Sequence, residues 1–323
     1  MVDSVDLSED ELIAEIRTLF PGNGSDVRIG IGDDSAVLAP RTGELVVTAD
    51  LLTEGVHFET STISARDLGT KCVVVNVSDI AAMAASPRAA LCAITLPEQT
   101  ETSWVMELFH GIREACEAYG LSLVGGDLSR GASICIAVSM IGDAAPGGVV
   151  SRSGARPGDA IALTGTVGAS AAGRRLLGEG RVLAESDRVL VRAHVHPIAR
   201  VGEARVLARN GARAMIDVSD GVGLDLSRLC SASRVGARLR LADVPIAAGA
   251  SLAEALGGGE DYELLAAIPP EGFERAQREL LDAFGLRLSR VGDVTSGDAL
   301  VGVGEDGTEE PLVPKGWDHF ANR

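Results

Sequence analysis

Residues 88–143 contain RAALCAITLP (88–97), TETSWVMELFHGIREACEAYG (100–120), LSLVGGD (121–127) and SICIAVSMIGD (133–143). The first, third and fourth pieces are short apolar runs that predict strands, whereas the second repeats its apolar residues at helical spacing. Strands alternating with a helix in this way predict a layered α/β domain.

Upstream, ARDLGTKCVVVNVSDIAAMAA (65–85) is rich in alanine and other small residues, which suits a helix pressed closely against a sheet. Asn76, Ser78 and Asp79 are polar groups inside this otherwise apolar segment. RIGIGDD (28–34) and ELVVTAD (44–50) are β-like runs that each end in acidic residues. Ser8 and Glu11 have the capping-box spacing, and Leu12, Ile13, Ile16, Leu19 and Phe20 follow at helical intervals, so a short amphipathic helix precedes them.

Downstream, APGGVVSRSGARPGD (145–159) gathers glycine, proline and arginine between two apolar strands. It marks a boundary between a domain of residues 1–148 and one of residues 149–323. The second half begins a new β/α succession: DAIALTG, helices near 168–178 and 198–209, AMIDVS, VGLDLSRLCSASR, YELLAAI and LSRVGDV. A chain of 323 residues exceeds the usual size of one hydrophobic core, which agrees with two domains. With 46% hydrophobic and 23% charged residues and 39 glycines, it reads as a soluble globular α/β protein with many tight turns.

Charge narrows the function. The 29 Lys and Arg residues face 46 Asp and Glu, a net charge of −17, which argues against nucleic acid or an anionic membrane as partner. An acidic protein that binds phosphate compounds needs metal ions to reverse the local sign. Only Lys71 and Lys315 are lysines and neither follows GxxxxG, so a P-loop is absent. Five cysteines, with no CxxC pair, predict a reducing, cytoplasmic compartment. The acidic MVDSVDLSEDE lacks the apolar core of a signal peptide, and no run of about 18 apolar residues predicts a membrane span.

Aspartates recur beside glycine or serine at the ends of apolar runs: Asp33 and Asp34, Asp50, Asp79, Asp127, Asp217 and Asp220, and Asp261. Each alone is an ordinary turn or helix-cap residue. Their regular placement after strands in both halves is what a shared metal and phosphate site requires. Thr48 adds a neutral oxygen, and a carboxylate at Asp79 is costly to bury without a cation or hydrogen bonds. Gly125 and Gly126 would let a phosphate approach the backbone beside Asp127. Gly221 leads from Ser219 and Asp220 into a helix whose N-terminal amides can receive an anion.

Arg152 and Arg156 offer either a phosphate clamp or a solvated loop. His57 can face an organic substrate, while His194 and His196 read as a loop between helices without an acidic partner at ligand spacing. Trp317 can stack on a planar ring or anchor the chain end to the core.

The ordered set IGIGDD, TADLLTEGVHF, NVSDIAAMAASPRAA, GGDLSRG, SRSGARPGD, IDVSDG, GGEDYEL and GWDHF closely resembles the thiamine-monophosphate kinase family, from residue 29 to residue 320. The resemblance implies a two-domain aminoimidazole ribonucleotide synthetase-like α/β architecture, whose N-terminal domain forms a barrel across a homodimer. It further implies ATP-dependent phosphorylation of thiamine monophosphate to thiamine diphosphate with several Mg2+ ions. On matching positions, Asp33, Asp34, Thr48, Asp50, Asp79, Asp127, Asp217 and Asp220 resemble metal ligands. Gly126, Asp127, Arg152 and Ser219 resemble ATP contacts, and His57, Trp317 and either Glu260 or Asp261 resemble the thiamine phosphate side. Ala49 and Leu128 depart from the hydroxyl residues common in the family at those places. Another ATP-using member of the superfamily, or a silent nucleotide- and Mg2+-binding module, would keep the same carboxylates.

The chemistry fits the residue types. The acceptor is a phosphate monoester with a second pKa near ~6, already an anionic nucleophile at neutral pH, so no strong general base is needed. The obstacle is repulsion between two phosphate compounds, which cations held by aspartates relieve. Direct in-line transfer without a phosphoenzyme is the expectation.

Overall fold

The computed structural model describes residues 8–20, 26–33, 35–179 and 183–317. As the spacing predicts, Ser8 caps the first helix, α1 (Glu9–Leu19), and the Glu11 carboxylate accepts from the Ser8 amide at 2.8 Å. The chain divides into two compact units, Met1–Ile80 with Ser86–Pro146, and Ala81–Ala85 with Gly147–Arg323.

In the first unit the order continues β1 (Val27–Ile29), β2 (Val37–Leu38), β3 (Leu45–Thr53), α2 (Ala65–Ala82), β4 (Ser86–Leu96), α3 (Thr102–Tyr119), β5 (Ser122–Arg130) and β6 (Cys135–Asp143). Four strands form a sheet in the order β3-β6-β4-β5, with β4 and β5 parallel and the other neighbours antiparallel. Along β3 exposure alternates, so Thr48 and Asp50 turn inward while Val47, Ala49 and Leu51 turn outward.

The small residues read in α2 have a definite use. A Cβ at Gly69 would lie 1.9 Å from the Leu108 carbonyl oxygen, and one at Gly111 would lie 1.9 Å from that of Arg66. The two helices therefore cross backbone to backbone, which only glycine permits. Arg88, its side chain only 5% exposed, donates to Asp26 at 2.7 Å and ties the segment before β1 to the sheet. That bond holds the Asp26 carboxyl below its ordinary range.

The second unit runs β7 (Ala160–Thr164), α4 (Ala169–Gly178), α5 (Glu185–Val195), α6 (Val201–Arg209), β8 (Ala214–Asp217), α7 (Val222–Ser233), β9 (Gly236–Arg240), a 3-10 turn (Leu241–Asp243), α8 (Leu252–Gly257), β10 (Leu264–Ile268), α9 (Pro270–Phe284), β11 (Leu288–Thr295), β12 (Leu300–Val303) and β13 (Glu309–Pro311). Its seven strands are ordered β13-β12-β9-β11-β7-β10-β8, and only β12 and β9 run parallel. Strands β7 and β10 are buried throughout. Ile161, Leu163 and Leu265 enter a core with Leu226 and Leu229 of α7, while Ala162, Leu264 and Ala266 enter another with Leu207 of α6 and Leu280 of α9. Helices thus cover both faces, which explains why these strands read as unbroken apolar runs.

Helix α5 stands where the sequence predicts a loop: His194 lies in its last turn and His196 is its C-cap. Its buried face is Leu190 and His194, one turn of periodicity, and Ala184 supplies no side-chain cap.

Gly111→Ala should lower stability by about 1–3 kcal/mol, because the methyl must force two backbones apart. Gly147→Ala, where a Cβ meets nothing within 4 Å, should be near neutral. Urea unfolding midpoints of the two variants against the parent check this.

Candidate functional site

In the first unit, β3 and α2 bring three of the sequence-derived oxygens together. Thr48 Oγ1 donates to Asp79 Oδ2 at 2.5 Å, and the Asp50 amide donates to Asn76 Oδ1 at 3.2 Å. Asn76 and Asp79 are one helical turn apart, so they share a face of α2. Asn76 is fully buried and donates in turn to the Cys72 carbonyl at 3.1 Å, which fixes its amide. The sequence marks Asn76 as a polar intrusion, but its hold on the Asp50 backbone depends on the β3–α2 pairing.

Asp33 is exposed on its loop beside a cavity of about 350 Å3, lined in part by Arg17, Arg28, Gly30 and Gly32. Asp34 lies outside the described residues. Asp127 is not part of the β3–α2 group. Register aligns Leu51, Ala137, Ala93 and Asp127 across the four strands, on the face opposite Asp50. Ser129 donates to Asp127 at 2.8 Å. Gly126 is held for close packing, since a Cβ there would lie 1.8 Å from the Cys92 carbonyl oxygen. His57 closes the turn after β3, its Nδ1 accepting from the Thr53 amide at 3.0 Å.

In the second unit the acidic loops are stitched together through the backbone. The Val218 amide donates to the Glu263 carbonyl at 2.8 Å, Tyr262 to Val218 at 2.9 Å, and Glu260 to Ser219 at 2.7 Å. Asp217, 1% exposed, ends β8 opposite Leu264 of β10. Asp220 pairs with Arg228 at 2.5 Å, and the same guanidinium nitrogen meets Asp225 at 2.8 Å. Asp225 is fully buried and accepts from the amides of Asp220 and Gly221, while burial pushes its carboxyl up to about 6. The Trp317 amide donates to the Asp220 carbonyl at 3.2 Å, and Arg174 lies 5.8 Å from the Trp317 ring centroid. A cavity of about 420 Å3 borders Arg174, Arg175, Glu254, Gly257 and Gly258. Arg152 is exposed, its carbonyl accepting from Ser233 at 3.1 Å.

The two carboxylates of GGED separate clearly. Asp261 turns inward and accepts from the Gly168 amide at 2.7 Å and the Ser170 amide at 3.2 Å, at the start of α4. Burial pushes its carboxyl up to about 7, although those amides pull it down. Glu260 turns outward, its Oε2 lying 3.2 Å from Nδ1 of His194. Two partners escaped the sequence reading: Arg200 grips Glu263 through Nε at 2.9 Å and a terminal nitrogen at 2.5 Å, and Thr164 donates to the same carboxylate at 2.6 Å. Burial alone would lower the Arg200 guanidinium, but Glu263 raises it.

Donor chemistry decides which metal suits these groups. The assembled side chains offer oxygen only, and among the described residues no three His, Cys, Asp or Glu groups converge on one point. Oxygen donors of this kind are the ligand type Mg2+ takes, one or two carboxylates together with water and substrate phosphates.

The family model described as AIR synthase related protein, N-terminal domain, matches residues 32–144, and its C-terminal counterpart matches residues 156–307. Fold and domain order therefore define a two-domain AIR synthase related protein. Thiamine-monophosphate kinase of Escherichia coli (strain K12) is 36% identical over 324 residues, covering 97% of this chain and 98% of that protein. The enzyme of the same name from Aquifex aeolicus (strain VF5) is 35% identical over 301 residues, covering 90% and 92%. The chain belongs to the thiamine-monophosphate kinase family. Among solved structures, the thiamine-monophosphate kinase of Stenotrophomonas maltophilia K279a superposes with a TM-score of 0.84 at 32% identity, over 96% of this chain and 100% of that one. AaThiL complexed with AMPPCP and TMP gives 0.78 at 32% identity, over 98% of each chain. The hydrogenase maturation protein HypE in complex with ATP, at 20% identity and a TM-score of 0.78, shares the fold alone.

The raised Asp261 carboxyl makes folded protein bind a proton that the unfolded chain releases from about pH 4 upward. Its contribution to stability is therefore largest at acid pH and falls as pH rises toward 7. Asp261→Asn should remove that slope, read as the difference between parent and variant denaturation midpoints from pH 4 to pH 7.5.

Proposed function

We propose that this chain transfers the γ-phosphoryl group of ATP to thiamine monophosphate, giving thiamine diphosphate and ADP. The observation that carries this reading is the backbone-stitched group of the second unit, which holds Asp217, Ser219, Asp220, Glu260 and Trp317 on one framework. Two similarities support it: relatives at 36% identity are thiamine-monophosphate kinases, and AaThiL forms a complex with AMPPCP and TMP.

The protein's own task is binding and orientation. Glu260 and Trp317 serve thiamine monophosphate, with Glu260 chosen over Asp261 because the α4 amides already engage Asp261. His57 serves it as a hydrogen-bond donor: with Nδ1 accepting from the Thr53 amide, the neutral ring carries its hydrogen on Nε2 and is no base. A phosphate monoester needs none, since it is already anionic at neutral pH. Gly126, Asp127, Arg152 and Ser219 are assigned to ATP. Asp33, Asp34, Thr48, Asp50, Asp79, Asp127, Asp217 and Asp220 would hold Mg2+. Bound Mg2+ would neutralise phosphate charge in a chain whose own net charge is −17.

Transfer is direct: a phosphate oxygen of thiamine monophosphate attacks the γ-phosphorus as the bond to the ADP oxygen breaks. Burial pushes the Cys116 and Cys230 thiols up to about 12, so neither competes as nucleophile. The five free cysteines suit a reducing cytoplasm, and among the described residues no helix is long and apolar enough to cross a membrane.

The same chain forms a homodimer through the β3, β6 and β4 part of the outer face of its four-stranded sheet, with Asp127 at the margin on the edge strand β5. Leu45, Val47 and Leu51 of β3 are 58%, 69% and 53% exposed, and Leu91 of β4 is 44% exposed. An apolar face of this kind is rare on a monomer.

Purified protein given ATP, Mg2+ and thiamine monophosphate should release ADP and thiamine diphosphate in equal amounts. Asp50→Asn and Asp217→Asn should each lower kcat/KM by about 100-fold or more. Absence of product sinks the kinase reading, and a phosphorylated protein on the reaction path sinks direct transfer. Light scattering should give a dimer for the parent and a monomer for the Val47→Asp, Leu51→Asp double variant; a monomeric parent removes the homodimer.

A further inference from the structure

Glu260, assigned above to thiamine monophosphate, sits on a backbone that L residues rarely adopt. Gly259, Glu260 and Tyr262 have φ of +70°, +58° and +53°, which turns the Glu260 side chain away from the strand line. The turn is fixed at the backbone by the Glu260 amide bond to Ser219 at 2.7 Å. The side chain needs a further restraint, because a glutamate has three rotatable bonds and loses binding free energy if it must be ordered on contact with a ligand.

His194 supplies that restraint. Its Nδ1 lies 3.2 Å from Glu260 Oε2 and 3.0 Å from Ser170 Oγ. Ser170 is 1% exposed and stands in the first turn of α4, where its amide also meets Asp261. The series Ser170, His194, Glu260 therefore runs from a buried helix start to a carboxylate whose side chain is 24% exposed. A carboxylate only accepts, so a hydrogen bond across the 3.2 Å to Glu260 requires the hydrogen of His194 to reside on Nδ1, with Ser170 Oγ then an acceptor of the same hydrogen.

We infer that His194 is a positioning residue: through Nδ1 it fixes the Glu260 carboxylate in the orientation that thiamine monophosphate meets. This rests on the reading of Glu260 as a substrate contact. His194 touches no substrate in this arrangement, and it acts on the affinity for one substrate only.

Steady-state kinetics with purified full-length variants test it. His194→Phe should raise KM for thiamine monophosphate by about tenfold or more, with KM for ATP changed by less than about twofold. His194→Asn, which restores an N–H donor on the same side, should recover most of the loss. Combining His194→Phe with Glu260→Gln should be no worse than Glu260→Gln alone, because both remove one interaction. If Glu260→Gln raises KM for thiamine monophosphate and His194→Phe does not, the positioning role is overturned while the substrate contact stands. If Glu260→Gln leaves that KM unchanged, the substrate contact itself falls, and the inference with it. Equal rises in both KM values without rescue by His194→Asn mark a structural role and also overturn the inference. Should His194→Phe fail to fold, 15N NMR of the parent decides. The His194 ring nitrogens should shift with thiamine monophosphate alone and not with ATP alone, and any other pattern overturns the role.

Discussion

Three backbone hydrogen bonds, joining Val218 and Ser219 to the chain between Glu260 and Glu263, hold the second unit's acidic loops in register. They set where β8 ends and where β10 begins, so Asp217, Asp220, Glu260 and Asp261 all take their directions from them. The arrangement places Glu260 and Tyr262 in the left-handed region, at a cost of roughly 1–3 kcal/mol each. Such backbone persists only where its surroundings leave no alternative. Here the surroundings are a sheet covered on both faces and the grip of Arg200 and Thr164 on Glu263, the residue that closes the loop.

A net charge of −17 hides a division of labour among the carboxylates. Asp26, Asp159 and Glu263 are bound by Arg88, Arg213 and Arg200, and they hold segments in place. Asp261 and Asp225 satisfy helix-start amides. Asp220 is intermediate, since Arg228 reaches it together with Asp225. The carboxylates outside these roles suit cations, and through them phosphates, so the excess of acid is less uniform in purpose than the sequence count implies.

Local features were legible in the sequence and long-range ones were not. The capping box at Ser8, the closely packed α2, the fully buried β7 and β10 and the strand-end aspartates all follow from spacing and composition over a few residues. Register does not: nothing near Asp127 tells that it faces away from Asp50, because that depends on three strand pairings. The choice between Glu260 and Asp261 was equally closed, since α4, over 90 residues upstream, claims Asp261. No acid stands at ligand spacing from His194 in the sequence, yet Glu260, 66 residues away, is in direct contact with it in space. The one signal available was a histidine four residues after Leu190, at the spacing of a buried helical face.

Aromatic scarcity gives the docking of Trp317 a spectroscopic meaning. The chain has two tryptophans, Trp104 and Trp317, and they fall in different units. Trp104 rides on α3, whereas Trp317 is tethered to the Asp220 loop beneath the Arg174 guanidinium, which can quench its emission. Intrinsic fluorescence is thus a two-channel record: replacing either indole leaves an optical reporter confined to one half of the molecule. The stabilities of the two halves can then be followed separately in unmodified solution, without an attached dye.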